Sequence, residues 1–103
     1  MTTSRGVGLI GLTVIVSALA GPAAAYTGQK LAGNARITIE QARAIALKAH
    51  PGRITDEELE REGGGSGLRY SFDVKNGAIT HEVGVDAVTG RVLENKVEGP
   101  HPD

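Results

Sequence analysis

Carboxylates are the most numerous groups in this sequence that could do chemistry. Four of them lie in one short segment: Glu57, Glu58, Glu60 and Glu62. Paired carboxylates can serve as a general acid and a general base. A catalytic carboxylate, however, needs burial or a close neighbouring charge to shift its pKa, and this segment has little apolar sequence to cover it. We therefore interpret it as a solvated face.

Histidine is the second residue type with possible chemistry, and it would suggest a metal site. His50, His81 and His101 lie far apart in the chain, without the close spacings typical of zinc ligands. His50 ends a helical pattern, where a polar or positive group is favourable. His81 falls in a strand pattern and His101 in a proline-flanked tail. The sequence therefore predicts no metal ion and no other cofactor.

Nucleophilic catalysis and phosphate binding also lack support. The chain has no cysteine, and Ser66 and Ser71 have no patterned base nearby and no Gly-x-Ser-x-Gly motif. The glycine-rich stretch 63–67, GGGSG, is followed by a strand pattern, whereas a phosphate loop requires a helix and a Lys-Ser/Thr pair. We interpret this stretch as a hairpin loop and predict that the protein is not an enzyme.

One further carboxylate, in the stretch VDAVTGRVLE, could hold a metal or a proton or could shape a turn. Asp86, Thr89 and Gly90 lie between two strand-like runs. An aspartate can accept hydrogen bonds from backbone N–H groups two or three positions later, and threonine can do so more weakly. Glycine can adopt the left-handed conformation that ends such a turn. We predict a structural turn, and we predict no catalytic, cofactor-binding or metal-binding residues.

An amphipathic helix is the clearest element that would position these groups. In the segment 38–50, TIEQARAIALKAH, Thr38 and Gln41 match a Thr-x-x-Gln capping box. Pro51 and Gly52 then end the helix. The residues at helical spacing that form one apolar stripe are Ile39, Ala42, Ile45, Ala46 and Ala49.

Alternation of apolar and polar residues predicts strands after the helix. The segments 68–75 and 79–87 both alternate, with His81 the odd member of an apolar face. Asn76-Gly77 between them is a strong signal for a tight hairpin turn. A short strand returns at 91–93. One helix covering a small antiparallel sheet gives an α+β fold.

The segment 52–62, GRITDEELERE, fits two different structures. Thr55 and Glu58 could cap a second short helix, and the segment is rich in helix-forming residues. Ile54 and Leu59 could instead anchor a polar strand. Local propensity favours the helix, and the residues alone leave both alternatives open.

The first 25 residues have the three parts of a secretory signal peptide. Arg5 precedes an uncharged run from Gly6 to Ala20, and small residues follow up to Ala25. The run is shorter than the ~20 residues that span a bilayer. We therefore predict cleavage after Ala25, no stable membrane insertion after cleavage, and a periplasmic or secreted protein. Residues 26–36 are predicted to be a flexible lead-in and residues 98–103 a disordered tail.

The charge of the processed chain argues against nucleic acid as a partner. Removing Arg5 from the 11 basic residues leaves 10 against 12 acidic residues, a net charge of −2. Nucleic-acid binding would require a clustered basic excess. Because there is no cysteine, no disulfide bond can support the fold. The core must therefore consist mainly of aliphatic side chains.

Taken together, several stretches resemble the PepSY domain, a family named for peptidase propeptides and a spore-cortex protein. The stretches are ITIEQARAIALKAHPG, ELERE, YSFDVKNG and EVGVDAVTGRVL, between Ile37 and Leu93. The resemblance implies one N-terminal helix on an antiparallel sheet of about three strands within a domain spanning 37–97. It also implies a strand over 52–62. The stretch TDEE at Thr55–Glu58 departs from the family pattern, which usually has more β-branched apolar residues there, and this affects the register of that strand.

For function, the resemblance implies binding rather than catalysis. PepSY domains in propeptides are thought to restrain the attached peptidase, so the expected partner is a protein, either a peptidase or the ectodomain of an envelope sensor. A small-ligand or metal-binding module of the bacterial envelope is the alternative. A free edge of the sheet would be the natural docking place for a protein partner.

Overall fold

The computed structural model describes residues 25–98, in which one α-helix packs on one face of a four-stranded antiparallel sheet. A 3-10 helix, Gln29–Asn34, precedes the α-helix α1, Ile39–Ala49. The strands, in chain order and in sheet order, are β1 (Arg53–Arg61), β2 (Leu68–Asn76), β3 (Ile79–Asp86) and β4 (Val92–Val97). Residues 1–24 of the predicted signal peptide (1–25) and residues 99–103 of the predicted tail (98–103) lie outside the described residues.

The expected α+β fold is confirmed, but the sheet has four strands and not about three. The ambiguous segment 52–62 contains β1, because pairing with β2 and burial of Leu59 outweigh its helical propensity. A β-bulge lies between Ile54 and Asp56, within the stretch that departs from the family pattern. β4 extends to Val97, well beyond the short return strand that the sequence predicts at 91–93. Its sequence, VLENKV, is largely polar and exposed and shows no clear alternation of apolar and polar residues.

The helix begins with the capping box that the sequence predicts. The Thr38 hydroxyl accepts a hydrogen bond from the Gln41 N–H at 3.1 Å, and the Gln41 side chain accepts one from the Thr38 N–H at 2.8 Å. These two bonds satisfy donors that would otherwise have no partner at a helix start. The helix side chains buried against the sheet are Ile39, Ala42 and Ala46.

The core lies between α1 and the helix-facing side of the sheet. Its largest side chains are Tyr70 and Phe72 on β2. Aliphatic residues of α1, β1, β2 and β3 surround them. The Tyr70 hydroxyl donates a hydrogen bond to the Ile37 carbonyl oxygen at 2.9 Å, just before the helix. Burial raises the pKa of Tyr70 to about 12, with a further contribution from nearby Tyr26. This hydroxyl therefore stays protonated and joins the start of the helix to the sheet.

Residues 26–36 are folded against the sheet, which differs from the flexible lead-in that the sequence predicts. The Leu59 N–H on the outer edge of β1 donates a hydrogen bond to the Thr27 carbonyl oxygen at 2.8 Å. Gly28 has a φ of 83° and lies so close to β1 that a Cβ would be 1.8 Å from the Leu59 carbonyl oxygen. Tyr26 and Leu31 pack against the core. The glycine permits the close approach, which explains how a small and polar segment is held in place.

Candidate functional site

Asp86, at the end of β3, is only 1% exposed, and its carboxylate accepts four hydrogen bonds from groups within the fold. Oδ1 accepts hydrogen bonds from the Ser66 hydroxyl at 2.8 Å and from the N–H groups of Val88 and Thr89 at 2.8 and 3.1 Å. Oδ2 accepts one from the Ser66 N–H at 2.6 Å. Burial opposes ionisation of Asp86, but these four hydrogen bonds outweigh it and lower its pKa to about 2. At neutral pH the group is therefore an ionised acceptor for neighbouring backbone and serine donors.

The remaining residues of the predicted turn signature lie around this carboxylate. Gly90 has a φ of 80°, and its N–H donates to the Asp86 carbonyl oxygen at 2.9 Å. The Thr89 hydroxyl accepts a hydrogen bond from the Arg91 N–H at 3.2 Å. This geometry is that of a turn that joins β3 to β4. We propose that the roles of Asp86, Thr89 and Gly90 are structural.

The glycine-rich loop 63–67 belongs to the same assembly, and sequence reasoning missed this connection. Ser66 gives Asp86 two of its four hydrogen bonds, and Gly65 lies so close that a Cβ would be 2.2 Å from Oδ2 of Asp86. The turn after β3 and the loop between β1 and β2 are therefore joined at one end of the sheet. A serine among glycines was the available signal, but its partner lies 20 residues away.

The acidic segment of β1 is divided between the two faces of the sheet. Glu57 turns towards the helix and forms a two-bond ion pair with Arg43 of α1, one of whose contacts, Nη2 to Oε1, measures 2.9 Å. This pair raises the pKa of Arg43. Glu58 and Glu60 lie on the outer face, opposite the helix. The sequence predicts one solvated face for these glutamates, whereas they lie in two environments, because alternate residues of a strand point to opposite sides.

The outer face contains a shallow depression, here called the acidic hollow, of about 240 Å³. It is lined by Ser71 and by the carboxylates of Asp56, Glu58, Glu60, Asp73, Glu82 and Glu98.

Hydrogen bonds, burial and charges of the same sign shift several pKa values in the acidic hollow. A hydrogen bond to the Glu60 carboxylate, followed by burial, raises the pKa of Glu58 to about 7. Burial opposes the charge on Glu60, but hydrogen bonds from Glu58 and from the Ser71 hydroxyl lower its pKa. Burial, followed by repulsion from Glu94, raises the pKa of Glu82. Glu58 and Glu60 therefore share one proton near neutral pH.

Arg69 on β2 supplies the main positive charge beside these carboxylates. Its side chain is buried, with Nη1 3.2 Å from Oε1 of Glu94 and Nη2 donating to the Gly63 carbonyl oxygen at 3.0 Å. Glu94 Oε2 is also 3.1 Å from the Lys96 ammonium group. The outer face at β4 therefore carries alternating charges.

Two of the three histidines, far apart in sequence, meet at the end of the helix. The rings of His50 and His81 stack with centroids 3.6 Å apart and planes 8° from parallel. Asn95 on β4 holds the pair, since its Oδ1 lies 2.8 Å from Nδ1 of His81. His101 lies outside the described residues. Among residues 25–98, no three His, Cys, Asp or Glu side chains form a group suited to a metal ion.

The outer edge of β4 is free of any strand within residues 25–98, whereas β1 is partly covered by the lead-in. Glu98 donates its N–H to the Thr80 carbonyl oxygen at 2.8 Å, and Lys96 and Glu94 are paired opposite Glu82 and Gly84. Antiparallel bonding alternates along a strand. The backbone groups of the residues between them on β4 must therefore point away from the sheet.

Two features make this edge the best candidate for a binding site. Asn95 and Val97 are the outward-bonding residues, and each offers one N–H and one C=O group. Val97 is 59% exposed, so its side chain offers an apolar contact beside the outward backbone groups. The edge can accept one more antiparallel or parallel strand through backbone hydrogen bonds.

A comparison with known families identifies the domain. The family model described as "Peptidase propeptide and YPEB domain", PepSY, matches residues 36–96, which is more than half of the chain. The chain belongs to the PepSY family. The resemblance stated from sequence is therefore confirmed. No curated protein and no solved structure matched the chain.

The PepSY match covers the helix and all four strands, including the Asp86 turn and most of β4. The PepSY family is compatible with a non-enzymatic regulatory or inhibitory module. None of the helices between Ala25 and Glu98 has the length and apolar character needed to cross a bilayer.

Proposed function

We propose that this chain is an exported, non-enzymatic module that binds a protein partner and thereby restrains a peptidase or modulates an envelope sensor. Membership of a family described by peptidase propeptides supports the class of partner. The observation that carries the proposal is the free outer edge of β4, where Asn95 and Val97 direct their backbone groups outward. An extended segment of the partner would add a fifth strand there.

The chemistry of this edge defines what a partner strand should look like. Backbone hydrogen bonds would supply most of the affinity, and side chains of alternate residues would supply specificity. On the outer face, Glu94 and Lys96 alternate in sign, so a strand with the opposite alternation is favoured. On the other face, the exposed Val97 favours an apolar residue opposite it.

A binding comparison with an edge variant tests this proposal. The processed protein is immobilised and exposed to periplasmic extract from its own host, beside the variant Val97→Pro, which removes one outward N–H and leaves the bonds to β3 in place. Val97→Ala is the control, because it shortens the side chain and keeps the N–H. We expect a peptidase or sensor ectodomain to be captured by the wild type and by Val97→Ala, and lost with Val97→Pro.

A purified captured protein then allows a direct functional measurement. If it is a peptidase, its activity is measured with increasing amounts of the domain, and we expect a saturable decrease with the wild type and with Val97→Ala, but not with Val97→Pro. Equal capture by all three forms would contradict docking at this edge, and the absence of any specific protein would contradict a protein partner altogether.

Binding of a cation or small ligand in the acidic hollow is the second candidate, although a metal ion there would be held by fewer than three converging side chains of residues 25–98. The clustering of carboxylates there, with the pKa of Glu58 raised to about 7, is the observation that favours it. A cation would relieve the repulsion that these groups exert on one another. Calorimetric titration with Ca²⁺ and Zn²⁺ tests it, with Glu58→Gln as the control variant. The absence of heat from the wild type would exclude these ions.

Export itself has a simple test. We propose that the signal peptide ends at Ala25 and that the processed protein begins at Tyr26. The intact mass of the protein recovered from the periplasm or the medium should correspond to residues 26–103. Recovery of the unprocessed mass from the membrane fraction would contradict both cleavage and release.

A further inference from the structure

The outer edge of β4 is complementary to itself. A two-fold axis through Asn95 would place the β4 strands of two copies antiparallel, with Asn95 opposite Asn95 of the second copy. Because Asn95 directs its N–H and C=O outward, the two residues would exchange both hydrogen bonds, as paired residues of an antiparallel ladder do. No backbone rearrangement is required.

The charges on the outer face fit this arrangement. In the register centred on Asn95, Glu94 lies directly opposite Lys96 of the second copy, and the reverse contact follows by symmetry. Lys96 is 67% exposed and can extend across the seam to Glu94 of the second copy, which is 20% exposed and held beside Arg69. Opposite charges that face each other across two strands stabilise the pairing. Glu94 and Lys96 of one copy and the same two residues of the second copy would then form a group of four alternating charges.

The same charges disfavour the neighbouring registers. If the axis moved by one residue to position 94, Glu94 would face Glu94 of the second copy. If it moved by one residue to position 96, Lys96 would face Lys96. Like charges directly opposite each other destabilise an antiparallel pair. The charges on β4 therefore favour one alignment over its neighbours. A lysine that served only to prevent pairing of edge strands would not favour any alignment.

The helices leave room for this pairing. Helix α1 packs over β2, β3 and β4. With strands ~4.8 Å apart, a helix centred over β3 lies ~14 Å from its symmetry mate, beyond the 8–10 Å of packed helices. The second copy would also approach the exposed Val97 side chain.

We propose that two copies of this chain associate through their β4 strands, antiparallel and centred on Asn95, to form one continuous sheet of twice the four strands of a single copy. This pairing does not depend on the proposed function. If both hold, a second copy and a partner protein occupy the same edge in turn, and self-association competes with partner binding.

Analytical ultracentrifugation of the processed protein alone, from micromolar concentrations to ~1 mM, tests the association. We expect a monomer–dimer equilibrium that Lys96→Glu weakens at least ~10-fold at low salt, with less effect at high salt because the charges are then screened. Lys96→Arg should keep the dimer. Lys30→Glu, an equal change of charge at an exposed position away from β4, should also keep it. Val97→Pro should yield a monomer that retains the circular dichroism spectrum of the wild type.

A cross-link tests the register. Because the chain has no cysteine, Asn95→Cys introduces a single thiol, and Cα atoms ~5.5 Å apart in such a pair fall within the disulfide range. We expect rapid formation of a disulfide-linked dimer on mild oxidation, and little with Arg53→Cys on β1. A wild type that stays monomeric over the whole concentration range would overturn the proposal, while leaving the proposed partner binding intact. A dimer that is insensitive to Lys96→Glu and Val97→Pro, or that fails to cross-link at position 95, would overturn it as well.

Discussion

Replacing Asp86 by asparagine should cost the domain about 2 kcal/mol of its free energy of unfolding at pH 7. The folded state lowers the pKa of this carboxyl group from 3.8 to about 2. Each pKa unit corresponds to ~1.4 kcal/mol of extra stabilisation of the ionised form. Asparagine has nearly the same shape but no charge. Its NH2 group would also meet the Ser66 N–H where Oδ2 now accepts a hydrogen bond, leaving donors face to face.

The dependence on pH follows from the direction of the shift. A carboxyl group whose pKa is lowered by folding contributes its full stabilisation above the pKa of the unfolded chain, about 4, and loses it as the pH falls towards about 2. The difference in stability between wild type and Asp86→Asn should therefore be largest above pH 5. It should narrow towards pH 2, where only the mismatch with Ser66 remains.

Urea unfolding followed by far-ultraviolet circular dichroism measures this difference, since the chain contains no tryptophan to serve as a fluorescence probe. Asp56→Asn is the matched control: it removes the same charge from an exposed position on β1 and should change stability by less than ~0.5 kcal/mol. A loss below that level for Asp86→Asn at pH 7, or an equal loss at pH 7 and pH 2.5, would refute the reasoning.

Three further substitutions test other parts of the structure. Tyr70→Phe removes the hydrogen bond to the Ile37 carbonyl group and should cost ~1 kcal/mol, seen as a melting temperature several degrees lower; an unchanged value would contradict the role of this bond. Glu58→Gln should stabilise the domain at pH 8 and much less at pH 5. The pKa of Glu58, raised to about 7, means that folding favours the protonated carboxyl group, so the stability of the wild type falls as the pH rises from 4.5 to 7. Equal effects of the substitution at both pH values would contradict this. Gly28→Ala should destabilise the domain by more than ~1 kcal/mol, since the methyl group would strike the β1 backbone at a φ of 83°, whereas Gly33→Ala, with no atom within 4 Å, serves as the control.

Sequence reasoning succeeded where the determining interactions lie within a few residues. The capping box of Thr38 and Gln41 and the tight turn at Asn76-Gly77 each depend on groups a few positions apart. Such patterns are visible in one sequence because the hydrogen-bonding partners are close together in it. The apolar stripe of the helix and the alternation in β2 and β3 fixed the layers in the same way.

The remaining features depend on partners distant in sequence. The segment 52–62 is a strand only because β2 lies beside it, which local propensity cannot indicate. Burial of Arg69 follows from the glycine-rich loop and from Glu94 on β4. Stacking of His50 on His81 requires the end of the helix to meet β3. The free edge of β4 likewise could be located only once the order of the strands was known.

The order of the strands, the same in the sheet as in the chain, also bears on how quickly the domain folds. Each strand pairs with the one that precedes it, so the chain closes only short loops as the sheet grows. Proteins with such local pairing fold faster than those whose strands pair across long stretches of sequence. The sheet can therefore form one strand at a time. In that order, the hydrogen bond between Ser66 and Asp86 can form only after β3 has paired with β2. It then joins the end of β3 to the loop between β1 and β2.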